Sequence, residues 1–211
     1  MDLKERNNSI KDFFNSKADD YDEVHLKMMA NKNVITEKLN KDTKSVLDLG
    51  AGTGLELIPL FEKFPDANIT VIDRSEQMLE KLKTRDFKDK IQIVCGDFFD
   101  VDFGNNYDAV ISSAALHHFN EKDKKRLYAK IFESLKSNGQ FINSDRIVDT
   151  QEEQDTLMRE FEKNSNLHPH METPLFFETE IRILKEVGFK NINISNLEDE
   201  RYKLLMAIRD Q

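Results

Sequence analysis

Apolar positions in this chain form short continuous runs, and between them lie stretches where apolar residues recur every three or four positions. The runs read as buried strands and the intervening stretches as amphipathic helices. In the first two thirds the strand-like runs are 45–49 (SVLDL), 68–72 (NITVI), 91–94 (IQIV), 107–113 (YDAVISS) and 140–143 (QFIN). The periodicity predicts helices between them. One covers 55–64, with Pro59 near the first turn where a missing N–H costs least. Another runs from Ser75, a suitable N-cap, to about 83, and a third covers 121–135 with Leu127, Ile131, Phe132 and Leu135 on one face. Ser137, Asn138 and Gly139 are expected to end that helix before the next strand. Five strands alternating with helices predict a parallel, doubly wound α/β sheet that receives ligands at the carboxyl ends of its strands.

Two helices are expected ahead of this unit. The first covers 9–21, with Ser9 as N-cap and Ile10, Phe13, Phe14, Lys17 and Tyr21 at helical spacing; the second covers about 28–39 and turns Met28, Met29, Val34, Ile35 and Leu39 inward. The last third has a different texture. A highly charged helix at 151–164 has only Leu157, Met158 and Phe161 as its apolar face, and the linker NLHPHMETP follows it. We read 149–176 as a helical lid inserted over the site. A helix at 178–187 stopped by Gly188 then leads to strands at 191–195 and 202–208, whose short connection makes them antiparallel.

The richest chemistry lies at 45–56, where the first strand carries Asp48 near its carboxyl end and runs into Gly50, Gly52 and Gly54 before a helix begins. Glycines allow a tight turn with positive φ and a close approach to a ligand, and the following helix directs unpaired N–H groups at that turn. Asp73 ends the second strand beside it, where a carboxylate can accept hydrogen bonds from both hydroxyls of a ribose. Asp97 follows the third strand and Ser113 ends the fourth, so Gly50, Asp73, Asp97 and Ser113 fall along one rim.

Composition narrows the partners. With 211 residues, 38% hydrophobic and 34% charged, the chain can bury a proper core under a heavily charged surface. Its formal charge of −9 disfavours phosphate backbones and anionic membranes, so nucleic acid is not an expected partner. The cluster Lys122, Lys124, Lys125 and Arg126 reads as a solvated helix face. Cys95 has no second cysteine to pair with and reads as inert packing at the end of a buried strand. Lacking a signal-like start or a membrane-length apolar run, the chain is expected to be soluble and cytoplasmic.

Taken in order, LDLGAGTG, VIDRS, GDFFD and YDAVISSAALHHF, followed by the antiparallel pair, resemble the class I S-adenosylmethionine-dependent methyltransferase family, and its small-molecule members most. The resemblance covers about 13–211. It implies a Rossmann-like sheet of seven strands in the order 3-2-1-4-5-7-6 with strand 7 antiparallel and helices on both faces. S-adenosyl-L-methionine is the implied cofactor. Asp48, Gly50 and Gly52 would face its amino-acid half with backbone atoms of Ser113 and Ala114, and Ala51 and Arg74 would join the binding set. Asp97 would accept from the adenine amine, Phe98 would add backbone and apolar contact, and Met78 would pack on the adenine face. Residues 1–40 would cover the cofactor, with Tyr21 closing over the sulfonium, and 41–211 would form the methyltransferase domain.

Methyl transfer from a sulfonium is a displacement with a leaving group that is already charged, so placement of the acceptor does most of the work. A base is needed only where the acceptor atom carries a proton. His117 and His118, just past the fourth strand, are the candidate catalytic residues, with His168 and His170 on the linker as further candidates. A metal held by these histidine pairs and Glu172 is not expected, since no compact ligand motif is present. The expected partner is a small-molecule acceptor, and nothing in the sequence indicates an oligomeric state. Three other readings remain beside it. A nicotinamide-dependent dehydrogenase is opposed by the GxGxG spacing and the C-terminal strand pair. The second is a module that binds the cofactor without turnover, and the third is an RNA-modifying methyltransferase, although SSAALHHF lacks the Pro-Pro-aromatic run of amino-methylating enzymes.

Overall fold

The computed structural model describes residues 3–25, 29–163 and 172–210. Its centre is a seven-stranded sheet made of β1 (Ser45–Leu49), β2 (Asn68–Asp73), β3 (Ile91–Cys95), β4 (Tyr107–Ser113), β5 (Leu135–Asp145), β6 (Phe189–Asn196) and β7 (Lys203–Arg209). The spatial order is β3-β2-β1-β4-β5-β7-β6. Strands β1 to β5 pair in parallel, and β7 runs antiparallel to both β5 and β6. This is the order and polarity that the strand runs and their resemblance imply.

Alternation along each strand feeds two apolar layers. Leu47, Leu49, Val110 and Phe141 belong to one cluster, with Leu127 and Ile131 of α6 (Glu121–Ser134) and Ile183 and Leu184 of α8 (Phe177–Val187). Their strand neighbours Val46, Ala109, Ile111 and Ile142 point the other way. They meet Leu57 and Leu60 of α4 (Leu57–Lys63) and Ile35 of α3 (Met29–Lys38). The sheet order reverses between β1 and β4, and their carboxyl ends open the crevice in which such folds take ligands.

Local signals set most boundaries. Ser75 caps α5 (Glu76–Leu82) by accepting from the Met78 N–H at 3.2 Å, Asn120 caps α6 by accepting from the Asp123 N–H at 3.0 Å, and Gly188 closes α8 in the left-handed region at φ 120°. Among the described residues no helix is long and apolar enough to cross a membrane.

Four expectations change. The helix expected over 9–21 is α1 (Leu3–Lys17), followed by a turn and α2 (Tyr21–His25), so Ser9 lies inside a helix and is not its cap. No proline or glycine interrupts residues 3–8, and the helix simply continues upstream. Helix α6 passes directly into β5 at Leu135 with no separate terminating turn. The residues 136–139 form an irregularity in the β4–β5 ladder, where Asn138 takes φ 63°. Cys95 is exposed, because β3 is an edge strand and only partly covered.

Lys124 gives the fourth correction. Within the cluster read as solvated it is fully buried and forms an ion pair with the equally buried Glu180 of α8, whose other oxygen accepts from the Tyr128 hydroxyl at 2.7 Å. The α6–α8 contact is thus built around a charge pair. Met28 of the second expected helix and the end of 151–164 lie outside the described residues; α7 (Gln151–Lys163) occupies the rest of that stretch.

Removing one member of a buried pair strands the other charge in the core, at a cost of about 3–5 kcal/mol. Lys124→Met alone should therefore lower the urea midpoint sharply, and Lys124→Met with Glu180→Leu should recover most of the loss. Equal destabilisation by the single and double changes would refute this.

Candidate active site

At the end of β1 the chain turns through Gly50 at φ 79°, Gly52 at φ 53° and Gly54 at φ 76°, all in the left-handed region that favours glycine. Gly50 donates its N–H to Ile72 O at 2.8 Å, and a Cβ built there would stand 2.4 Å from the Cβ of Ala115. Only glycine lets the turn after β1 touch the loop after β4. Gly52 donates to Asp73 Oδ2 at 2.9 Å, and Ser75 N–H donates to Asp73 Oδ1 at 2.7 Å. Two backbone bonds thus fix the carboxylate beside the turn. Burial raises the Asp73 carboxyl above its ordinary value, against the pull of those bonds.

The turn forms one side of a cavity of about 630 Å³, counting its open mouth. Of the residues expected to bind a cofactor, Gly50, Gly52, Asp73, Arg74, Met78, Asp97, Phe98, Ser113 and Tyr21 all line it, and His118 does so as well. Asp48 and Ala51 are closed off, Asp48 with no exposed surface and Ala51 with 2%. The cavity also takes Ala114, whose backbone was expected there, together with Ile10 and Phe14 from α1 and Ala115 and Phe119 from the loop after β4, which had been assigned no role in binding. Asp97 stands at its far end with both oxygens engaged. Oδ1 accepts from Phe99 N–H at 3.0 Å, and Oδ2 accepts from Arg74 Nη2 at 3.0 Å and Asn7 Nδ2 at 2.7 Å.

Phe14, Tyr21, Ala114 and His118 line this cavity and also a second one beside it, which adds Phe13, Lys17, Asp20, His25, His117, Glu172 and Tyr202. The two spaces share a wall. Its aromatic members touch, with Phe14 edge-on to His118 at 5.7 Å and to Tyr21 at 6.4 Å, and Tyr21 stacks on His25 of the second cavity at 3.9 Å. Around the second cavity, Arg146 pairs with Glu172, and Thr173 N–H donates to His117 O at 2.6 Å.

His117 is engaged from behind. Its Nδ1 lies 2.5 Å from Oδ1 of the fully buried Asp145 at the end of β5, whose other oxygen accepts from Asn143 Nδ2 at 3.2 Å. Burial opposes ionisation of Asp145, but the charge and hydrogen bond of His117, with Lys124 and Asn143, hold the carboxyl below its usual value. The sequence reading missed Asp145 and Asn7. The rule that ligand-facing residues sit at strand carboxyl ends could have found Asp145, the last residue of β5; nothing marks Asn7. Among the described residues no group of His, Cys, Asp and Glu is arranged to hold a metal, and His168 and His170 lie outside them.

Residues 46–139 match the model of a methyltransferase domain. The chain is 33% identical over 129 residues to a malonyl-acyl-carrier-protein O-methyltransferase of Acetivibrio thermocellus, an overlap of 60% of this chain and 45% of that protein. It is 26% identical over 177 residues to a carboxy-S-adenosyl-L-methionine synthase of Nautilia profundicola, covering 76% and 75% of the two chains. A crystal structure of a protein described as an O-methyltransferase from Nostoc punctiforme superposes with a TM-score of 0.69 at 26% identity, over 86% of this chain and 56% of that one. The chain therefore spans less than half of the first relative and little more than half of the Nostoc protein.

Gly50 and Gly52 should respond differently to alanine. Gly52→Ala meets no protein atom within 4 Å and carries only the left-handed strain of about 1–2 kcal/mol. Its methyl enters the cavity, so it should fold while weakening S-adenosylhomocysteine binding at least about tenfold. Gly50→Ala should also lower the melting temperature, because of the Ala115 clash. Calorimetry and thermal melts check both, and full-strength binding by Gly52→Ala would contradict this placement.

Proposed function

This chain belongs to the class I S-adenosylmethionine-dependent methyltransferase family, and from that premise we propose that it transfers a methyl group to a small-molecule acceptor. The observation that carries the reading is a pair of neighbouring cavities that share a wall, one bounded by the glycine turn, Asp73 and Asp97, the other by His117. The residues present suit the cofactor. A Cβ at Gly52 would meet nothing within 4 Å, so backbone is exposed there to a ligand, and Asp73 and Asp97 offer carboxylates at the two places a nucleoside needs acceptors.

When bound, S-adenosylmethionine supplies a methyl group on a positively charged sulfur, which needs no acid at its leaving atom. Asp73 holds the ribose hydroxyls, Asp97 the adenine amine, and Met78 and Phe98 the apolar faces of the base. Tyr21 and Phe14 offer aromatic rings of the kind that attract a sulfonium. Residues 1–40 act as the cover, and 149–176 as a lid whose far end adds Glu172 to the acceptor space.

We assign the base to His117. With Nδ1–H donating to the ionised Asp145, Nε2 is the nitrogen left to accept a proton, and among the described residues it makes no hydrogen bond. His118, 3% exposed, is the wall between cofactor and acceptor and keeps water from the junction. A carboxylate acceptor, such as the malonyl group in the name of one relative, arrives without a proton and has no use for this base. A hydroxyl, phenol or amine does. The aromatic lining of Phe13, Phe14, Tyr21 and Tyr202 favours a flat, largely apolar acceptor of that kind.

The test pairs S-adenosylhomocysteine calorimetry with labelled methyl transfer from S-adenosylmethionine to a panel of phenols, alcohols, amines and carboxylates. The wild-type protein should bind the product and methylate a protonated acceptor. Binding with no transfer to any of them would leave a cofactor-holding module instead. His117→Ala should cut the rate by about 10²–10⁴ with little change in cofactor binding. Asp145→Asn should lower the rate too, since it removes the carboxylate that fixes the tautomer. Its pH effect on stability has a definite sign. The wild-type carboxyl is held below its unfolded value, so its contribution is present above about pH 4 and is lost as pH falls below that.

A further inference from the structure

We propose that Asp22 is a positioning residue of the cofactor site: it clasps α2 to the glycine turn and so holds the ring of Tyr21 over the bound cofactor. The inference deepens the reading of the first cavity as the S-adenosylmethionine site and rests on it.

Helix α2 has five residues, none of them buried. A helix that short has little stability of its own, and apolar packing does not seat this one. Asp22 joins it to the turn. Its Oδ1 accepts from the Thr53 hydroxyl at 2.5 Å, and its Oδ2 accepts from Arg85 Nη2 at 2.5 Å. Arg85 Nε in turn donates to Thr53 O at 3.0 Å, so each of the three residues bonds to both of the others. Thr53, 1% exposed, stands between Gly52 and Gly54, and Arg85 belongs to the chain just past α5. A ring in which one carboxylate takes a charged donor and a hydroxyl on separate oxygens holds its members in one arrangement.

Each end of the Asp22–Thr53 bond has a neighbour that lines the first cavity: Tyr21 precedes Asp22, and Gly52 precedes Thr53. One hydrogen bond thus sets how near the cover's aromatic residue comes to the turn that bounds the same space. The ring of Tyr21 also meets Phe14 and stacks on His25, both residues of the N-terminal segment. Those contacts shape the segment and do not join it to the turn. Asp22 lines neither of the two cavities, so its action on the cofactor passes through Tyr21.

A competing account has Asp22 supporting the turn through Thr53, with no part for Tyr21. Calorimetry with S-adenosylmethionine on the full chain, in the absence of an acceptor, separates the two. Asp22→Ala changes a side chain that is 37% exposed and should fold, while weakening binding about tenfold. Tyr21→Ala should weaken it by about as much, through loss of a ring near the sulfonium. The double variant should bind within about twofold of Tyr21→Ala alone, whereas independent actions would multiply to a loss of about a hundredfold. Thr53→Val removes the same hydrogen bond from its other end and should likewise add less than about twofold to Tyr21→Ala. Multiplied losses overturn the inference alone, as does undiminished binding by Asp22→Ala or by Tyr21→Ala. Failure of the wild-type protein to bind S-adenosylmethionine overturns the cofactor reading and this inference with it.

Discussion

The contact on which the site depends is the approach of the turn after β1 to the loop after β4. At Gly50 the two backbones come so close that a single methyl group would stand 2.4 Å from Ala115. The sheet order reverses between these strands, so helices leave their carboxyl ends toward opposite faces and a crevice is unavoidable. Closing its floor with glycine makes it a cavity with rigid sides. The carboxylate of Asp73 is tied to the same turn by the Gly52 N–H, so whatever holds β1 and β2 in register also sets the distance between the turn and its acid.

From that floor outward the protein becomes more polar and its parts come from further apart in the chain. Asp97 belongs to β3's end but is shared with α1; His117 belongs to the loop after β4 but is aimed by Asp145 at the end of β5. His117 thus has one fixed partner behind it, whereas Asp97 is held by α1 and Arg74 as well as by its own loop. The buried Lys124 and Glu180 extend this inward, since the lysine charge also favours the ionised form of Asp145. A charge pair that looks structural in α6 and α8 thus bears electrically on the candidate base.

The sheet was legible because its evidence is local. Runs such as SVLDL and YDAVISS carry their own periodicity, and the acid, the glycines and the caps sit within a few residues of the elements they define. What could not be read depends on partners distant in sequence. Lys124 looks like any lysine of a basic run until Glu180 arrives 56 residues later, and Asp145 gains its role only from His117, 28 residues before it. Ser9 has the chemistry of an N-cap, but that preference is weak beside an unbroken helical stretch upstream. Cys95 was misplaced because a strand's own sequence does not say whether it will be an edge.

One consequence concerns how the cofactor would come and go. The segment 3–25 meets the main domain largely through polar links: Arg6 to Asp123, Asn7 to Asp97, Lys11 to Glu76, Asn15 to Ser75, Asp19 to Lys81 and Asp22 to Arg85. Among the described residues, the two apolar clusters that hold the sheet draw none from it. Opening that segment would expose little beyond Ile10 and Ala18, so it is expected to open at lower cost than the strands. Ligand exchange would then be decoupled from global unfolding. The amides of α1 would trade hydrogen with water through excursions far cheaper than those needed to reach β1 and β4.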